Sequence, residues 1–514
     1  MKTRTLMVQG TSSHCGKTLM VAALCRLYGK AGFKVAPFKA QNMSLNSYVT
    51  ENKEEISRAQ ALQAFAAGVE PTVDMNPILL KPKGNMTSQI VLLGKPYADI
   101  DSARYYTDFA MKTGLATMKK SLAHLMANYE IIVIEGAGSP AEINLYHVDI
   151  ANMAVAEASR TPVLLVSDID RGGAFASIIG TMQLLEQNHR DLVKGFVFNK
   201  FRGDKSLLHS GILRLEQMTK VPVLGIVPFI EQLQLPQEDS VSLDEINAPA
   251  GRVDIAVLRL PHISNFTDFD ILRNHPAANV RFVKTVENLG MPDLLILPGT
   301  KNTIEDLLWL KDGGFIPKIE HLAQDRLILG ICGGYQMLGN RILDANAIEG
   351  KQAGSYEGLG LLDVETTFES YDKITRRVTA EVVSQSPILK TALGNEIHGY
   401  HIHMGKTNIG ENSRPLFRLK GSEHPESTEF DGASSEKGLV LGTNIHGLLD
   451  EPSFREAIFQ SILAQKKTRI GSGYTVRASD VWTRNIELLA TVVRENMNLN
   501  KVCEIMSIPQ LKWQ

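Results

Sequence analysis

Apolar residues in this chain gather into short continuous runs, separated by stretches in which an apolar residue recurs every third or fourth position. The runs at 5–9, 34–38, 129–135, 162–167, 195–198 and 223–227 predict strands, and the spacing over 19–28 predicts a helix directly after the first. Strands apolar on both faces that alternate with helices imply a parallel sheet with right-handed crossovers. A second such series opens at 253–260, continues through 294–297 and 327–331, and reaches 439–443. Between the two series, from Glu231 to Gly251, the text turns polar and proline-bearing and reads as a linker. Beyond Asp450 it reads as helical, and 485–496 is amphipathic, with Ile486, Leu489 and Val492 or Val493 on one face, which assigns it to packing. The expected organisation is an α/β domain over 1–235, a linker over 236–251, a second α/β domain over 252–450 and a mainly helical tail over 451–514.

The loop after the first strand changes the picture from fold to chemistry. It reads Gly10-Thr11-Ser12-Ser13-His14-Cys15-Gly16-Lys17-Thr18 and opens a helix, which is a P-loop in its proper context. Backbone N–H groups of Thr11, Ser12, Ser13 and Gly16 would cradle phosphates, Lys17 would reach the terminal ones, and the Thr18 hydroxyl would bind Mg2+. ATP is the cofactor this implies. Glu135, at the end of a buried strand, is placed to hold or polarise the magnesium-bound nucleotide, or else caps the next helix. Asn199, at a late strand end, reads equally as a base contact or a turn asparagine. Lys39, Gln41, Asn42 and Ser44 follow the second strand and face the same crevice, as substrate-binding candidates or as an ordinary polar loop.

In the second domain, Leu327 to Gly339 is an apolar strand that runs into Cys332, turns on Gly333 and Gly334, and becomes an apolar helix. This is a nucleophile elbow with sulfur in place of oxygen. The N–H groups of Gly299 or Thr300 and of Gly333 would form an oxyanion hole. His446, just past a strand, is the proton-shuttle candidate, adjacent to the thiol only after folding. Its competitors are His398, His401 and His403, whose spacing invites a metal reading that strand alternation explains equally well.

Composition narrows the class. With 54 basic and 56 acidic residues there is no net field to attract nucleic acid or an anionic membrane. Cys15, Cys25, Cys332 and Cys503 show neither disulfide nor zinc spacing and suit a reducing cytoplasm. Neither a signal-peptide core nor a run long enough to span a bilayer is present.

The P-loop, with its first glycine one position early, resembles the dethiobiotin synthetase-like branch. Related partition-type ATPases carry an extra lysine where this chain has Ser12, which speaks against a nucleotide-switched dimer. Taken together, the P-loop, Lys39-Ala40-Gln41-Asn42-Met43-Ser44, Glu135-Gly136-Ala137-Gly138-Ser139-Pro140, Asp168-Ile169-Asp170-Arg171-Gly172-Gly173, Leu297-Pro298-Gly299-Thr300-Lys301, the elbow and His446-Gly447-Leu448 resemble the cobyric acid synthases over nearly the whole length. The resemblance implies a class I glutamine amidotransferase-like C-terminal domain in which Cys332 and His446 release ammonia from L-glutamine. It implies an N-terminal domain that uses ATP and Mg2+ to activate carboxylates of a corrinoid, adenosylcobyrinic acid a,c-diamide, at its b, d, e and g side chains. The sister a,c-diamide synthase shares the P-loop and Cys/His motifs, and a nucleotide-switched scaffold is the alternative from another class. Two positions depart from pattern: Leu448 stands where class I domains carry a third acid, and His401 stands where the family segment usually has glutamate. The oligomeric state is open.

Overall fold

The computed structural model describes residues 3–84, 86–231, 233–236, 251–421, 429–468 and 474–513. The expected linker at 236–251 therefore lies, but for its two ends, outside the described residues.

The first sheet takes its strands from the predicted runs: β1 (Arg4–Gly10), β2 (Val35–Phe38), β3 (Ile131–Glu135), β4 (Val163–Asp168), β5 (Val193–Phe201) and β6 (Val223–Pro228). Their order is β6-β5-β4-β1-β3-β2, and every pairing is parallel. The chain goes to one side of β1 for β2 and β3, then to the other for the rest. This makes β1 the switch point, the place where open α/β sheets bind ligands. The helix α1 (Lys17–Lys30) leaves from there, with Gly16 at φ 101 as its N-cap, a conformation open to glycine. The segment read as a polar loop after β2 is in part a strand. Residues Gln41–Met43 pair in parallel with Ile78–Gly84, which extends through two hairpins into a four-stranded sheet. Between Gln41–Met43 and Ile78–Gly84 the chain forms a short helix, α2 (Arg58–Ala67), capped by the Ser57 hydroxyl.

The second domain is built on a ten-stranded sheet. Its strands in chain order are β7 (Val253–Leu258), β8 (Ala278–Val283), β9 (Leu294–Leu297), β10 (Leu327–Ile331), β11 (Ile374–Val382), β12 (Glu396–His403), β13 (Arg414–Lys420), β14 (Phe430–Ser434), β15 (Val440–Thr443) and β16 (Ile445–His446), with β7 to β10 and β15 parallel to one another. The order is β8-β7-β9-β10-β15-β14-β13-β11-β12-β16. The antiparallel half folds back so that β16 pairs with β12, which returns His446 to the carboxyl ends of β7, β9 and β10. The elbow helix α3 (Gly333–Leu338) is buried at every position.

Its approach to β9 depends on one missing methyl. A Cβ at Gly334 would lie 2.0 Å from the Leu297 carbonyl oxygen, a backbone atom that no rotamer change can clear. Gly334→Ala is therefore expected to destabilise the protein by about 3 kcal/mol, the upper range for overpacking a tight core. Denaturant unfolding measures this, and an unchanged midpoint would mean that the helix can lift from β9.

The residues after Asp450 divide between the domains. α4 (Pro452–Gln465) buries Phe454, Ile458 and Phe459 in the core of the second domain. α5 (Ala478–Asn496) and α6 (Leu499–Ile505) cross back and pack Ile486, Leu489, Val493 and Val502 against α1. Among the described residues no helix is long and apolar enough to cross a membrane.

Candidate active site

Four carboxyl ends of the second sheet converge on Cys332. The cysteine itself adopts φ 52 and ψ −113, a strained pair of angles for a non-glycine residue, which agrees with the elbow expected from the sequence. It is buried, and its Sγ lies 3.7 Å from the Ile402 carbonyl. The Gly333 N–H, as the first of α3, has no acceptor within the helix. A Cβ on Gly333 would lie 3.3 Å from the Thr300 nitrogen, and one on Gly299 would lie 3.0 Å from Cε1 of His446. The three predicted oxyanion residues thus line one small space beside thiol and imidazole.

His446 is fully buried, stacked on Tyr400 with ring centroids 5.3 Å apart. Its Nδ1 is 2.7 Å from Oδ2 of Asp268, whose Oδ1 accepts the Gly447 N–H at 3.1 Å. Burial alone would lower the histidine pKa. The Asp268 charge and hydrogen bond, reinforced by a hydrogen bond with Cys332, overcome this and raise it to about 10. The arrangement is a thiol, an imidazole and an orienting carboxylate, which suits nucleophilic acyl transfer.

Asp268 is the residue the sequence reading missed. The acid was sought two positions after His446, where Leu448 is a buried apolar side chain. It comes instead from the turn after β7. The available signal was positional: β7 is the first strand of its sheet, and its carboxyl end carries Ser264, Asn265 and Asp268 in a polar run. The competing histidines stand apart from this pair. His398 is exposed, and His401 is buried with its Nε2 3.5 Å from Asp431. His403 lines the space by Cys332, where burial, then the neighbouring His401, pushes its pKa down to about 3. No metal-holding group of three or more His, Cys, Asp or Glu occurs among the described residues.

In the first domain, the P-loop closes over its own lysine. Lys17 Nζ donates to the carbonyls of Ser12 and Gly138, each at 3.0 Å. The Thr11 N–H donates to Val166, and its hydroxyl lies 3.0 Å from that of Ser167. Ser13 is exposed at the loop's crest. Asn199 donates its amide to the Cys15 carbonyl at 2.8 Å, behind the loop, so it braces the P-loop backbone. The Thr18 hydroxyl donates to Glu135 Oε1 at 2.8 Å. Lys39 reaches the same oxygen at 2.9 Å, while Gln60 and Gln63 of α2 donate to Oε2.

Of the four substrate candidates, three turn inward. Lys39 pairs with Glu135; Asn42 donates to Ser57 and to Gln60; Ser44 is buried and accepts the Asn46 N–H. Gln41 is partly exposed and accepts from the Tyr105 hydroxyl. The same segment then reaches the other site. Ser47 N–H donates to Asn265 Oδ1 at 2.9 Å, Asn265 N–H donates to the Leu45 carbonyl at 3.3 Å, and Asn265 Nδ2 lies 3.4 Å from His446 Nε2. One stretch of nine residues, 39–47, touches Glu135 at one end and the partner of His446 at the other.

Comparison with known proteins agrees with this two-part plan. Residues 6–243 match the CobQ/CobB/MinD/ParA nucleotide binding domain, and residues 254–454 match the CobB/CobQ-like glutamine amidotransferase domain. Over 98% of this chain and 97% of its own, a cobyric acid synthase of Pelotomaculum thermopropionicum is 47% identical. A probable cobyric acid synthase of Methanococcoides burtonii is also 47% identical, over 97% and 96%, and a cobyric acid synthase of Clostridium botulinum is 45% identical, over 98% and 99%.

Proposed function

From the premise that this chain belongs to the cobyric acid synthase family, we propose how its two sites divide one reaction. The protein is a glutamine-hydrolysing carbon–nitrogen ligase of cobalamin biosynthesis that uses ATP. We assign ammonia release to the domain at 252–450 and carboxylate activation to the one at 1–235.

At the first site, Cys332 passes its thiol proton to His446 and its Sγ attacks the γ-carboxamide carbon of glutamine, while the Gly333 and Thr300 N–H groups receive the charge that grows on the amide oxygen. His446 gives its proton to the departing nitrogen, so that ammonia leaves and a glutamyl thioester remains. It then takes a proton from water, which attacks the thioester carbon; the C–S bond breaks, glutamate leaves, and His446 returns the proton to the Cys332 sulfur. Asp268 keeps the imidazole in the tautomer and orientation both steps need.

At the second site, a carboxylate oxygen of the corrinoid attacks the γ-phosphorus of ATP, and ADP leaves. Ammonia attacks the resulting acyl phosphate, loses a proton and displaces phosphate. The hydroxyl of Thr18 and the carboxylate of Glu135 are hard oxygen donors 2.8 Å apart, a set that fits Mg2+, and they would hold it together with the phosphates. The ion would neutralise charge between the β- and γ-phosphates. Lys17 would bind the terminal phosphate, and Lys39 holds the Glu135 carboxylate in place through its ion pair.

The observation that carries this reading is the 39–47 segment, which spans from Glu135 to Asn265 and so physically joins the two sites. The substrate we infer is adenosylcobyrinic acid a,c-diamide, converted at its b, d, e and g carboxylates with one ATP and one glutamine each. Incubation of the full chain with this compound, glutamine, ATP and magnesium is expected to give products one mass unit lighter per carboxylate converted, up to four. Mass spectrometry that shows turnover of cobyrinic acid only to its a,c-diamide would shift the assignment to the sister reaction.

A further inference from the structure

The space in front of Cys332 is lined in part by groups that the amide chemistry does not use. Lys301 follows the oxyanion residue Thr300, Lys373 precedes β11, and Lys81 comes from the first domain; all three line this space together with Gln336 and Glu349. Lys81 Nζ lies 2.6 Å from Glu55 Oε1 and donates to the Ser47 hydroxyl at 2.8 Å. Lys373 takes the other oxygen of Glu55, which is buried. Glu349 accepts the Thr303 N–H at 2.7 Å, and Gln336 is held by Thr303 and Met404. The Lys301 ammonium has no hydrogen-bond or ion-pair partner among the described residues. Three ammonium groups therefore face two carboxylates, Glu55 and Glu349, in a setting where an isolated buried charge is costly.

A substrate that presents its γ-carboxamide to Cys332 carries an α-carboxylate and an α-ammonium at its opposite end. A space lined by three lysines and a single acid is complementary to that pair. We propose that Lys301 and Lys373, braced by Lys81 of the first domain through Glu55, form the subsite for the α-carboxylate of L-glutamine, with Glu349 facing its α-ammonium. This rests on the assignment of Cys332 as the glutaminase nucleophile. It makes the glutamine site a composite: its anion subsite is complete only when the P-loop domain is seated on the amidotransferase domain. The electrostatics agree, since burial, then the nearby Lys373 and Lys81 charges, pushes Lys301 down to about 7, and an anion between the ammonium groups would reverse that repulsion.

The test compares two substrates in each protein: L-glutamine, and its α-amide, in which the α-carboxylate is a neutral carboxamide. Glutamate or glutamate α-amide release is followed in the full chain, in Lys301→Met, in Lys373→Met and in Lys81→Met. The parent is expected to prefer glutamine in kcat/KM. In Lys301→Met and Lys373→Met that preference should fall by about 10- to 100-fold, the worth of a charge-assisted contact, with the loss in KM for glutamine and not in kcat. In Lys81→Met it should fall in the same direction by about tenfold. Because the readout is a ratio within one protein, partial unfolding cancels, and ammonium-driven amidation in each preparation reports that the synthetase half is folded. A preference equal to the parent's in both Lys301→Met and Lys373→Met overturns the subsite. Failure of the nucleophile assignment looks different, since Cys332→Ser would then still release glutamate.

Discussion

Cys332→Ser is expected to abolish glutamine-dependent amidation, by on the order of 10^4 or more, while amidation driven by added ammonium salts survives. The reason lies in the separation of the two chemistries. Cys332 sits on the strained turn between β10 and α3, and its Sγ lies against the Ile402 carbonyl of the second domain. Nothing in the P-loop requires its sulfur. Lys17→Ala, by contrast, should lower both activities by roughly a hundred- to a thousand-fold, the effect of removing one preorganised donor from a charged transition state. Ammonia supplied from either source needs the acyl phosphate, and Lys17 is fixed over the loop by its bonds to Ser12 and Gly138. The paired assay, glutamine against ammonium salt in each variant, decides. Equal loss of both activities in Cys332→Ser would remove the cysteine from a dedicated ammonia-producing role.

The second large effect belongs to Asp268. Asp268→Asn keeps an acceptor for the Gly447 N–H but removes the charge that raises His446 to about 10. Glutamate release is expected to fall by roughly 10^2 to 10^4, as expected when an orienting carboxylate is neutralised. The pH profile should move as well, and its direction follows from the sign. In the parent, the imidazole keeps its proton as pH rises until about 10, so the alkaline limb of kcat lies there. Without the carboxylate, only Cys332 is left to oppose burial, so the pKa falls, the proton needed for ammonia release is lost at lower pH and the alkaline limb shifts down. A variant that loses activity with an unmoved alkaline limb would reduce Asp268 to a packing residue.

What could be read from the chain and what could not have a common physical origin. Cys332 and the P-loop were legible because each site is written by consecutive residues: a strand, a turn demanding small residues and a helix leave a local signature. His446 was legible only as the counterpart of a cysteine already found. Asp268 left no such mark, since its role depends on the antiparallel half of the sheet carrying β16 back beside the turn after β7, a contact between residues 178 positions apart. The same is true of Lys81 and Glu55. A lysine after an apolar run resembles any strand end until folding brings it to another domain's pocket. Lys39, Asn42 and Ser44 show the opposite difficulty. Their polarity suggested contact with substrate, but buried polar side chains must find partners, and these find them in Glu135, Gln60 and Asn46.

The return of the C-terminal helices to α1 has a consequence for how the protein is made. Arg26 meets Glu487 across 461 residues of sequence, and Met497 bridges to Gly225 at the exposed edge of β6. As the chain leaves the ribosome, the P-loop domain emerges before the amidotransferase domain, yet one face of α1 and the edge of its sheet wait until residues 478–505 have been synthesised. The amidotransferase domain thus has time to fold while its neighbour is still unfinished, and the final helices close the first domain after the second is in place. A chain that stops early would carry both catalytic motifs and still present an open apolar flank to the quality-control machinery of the cell.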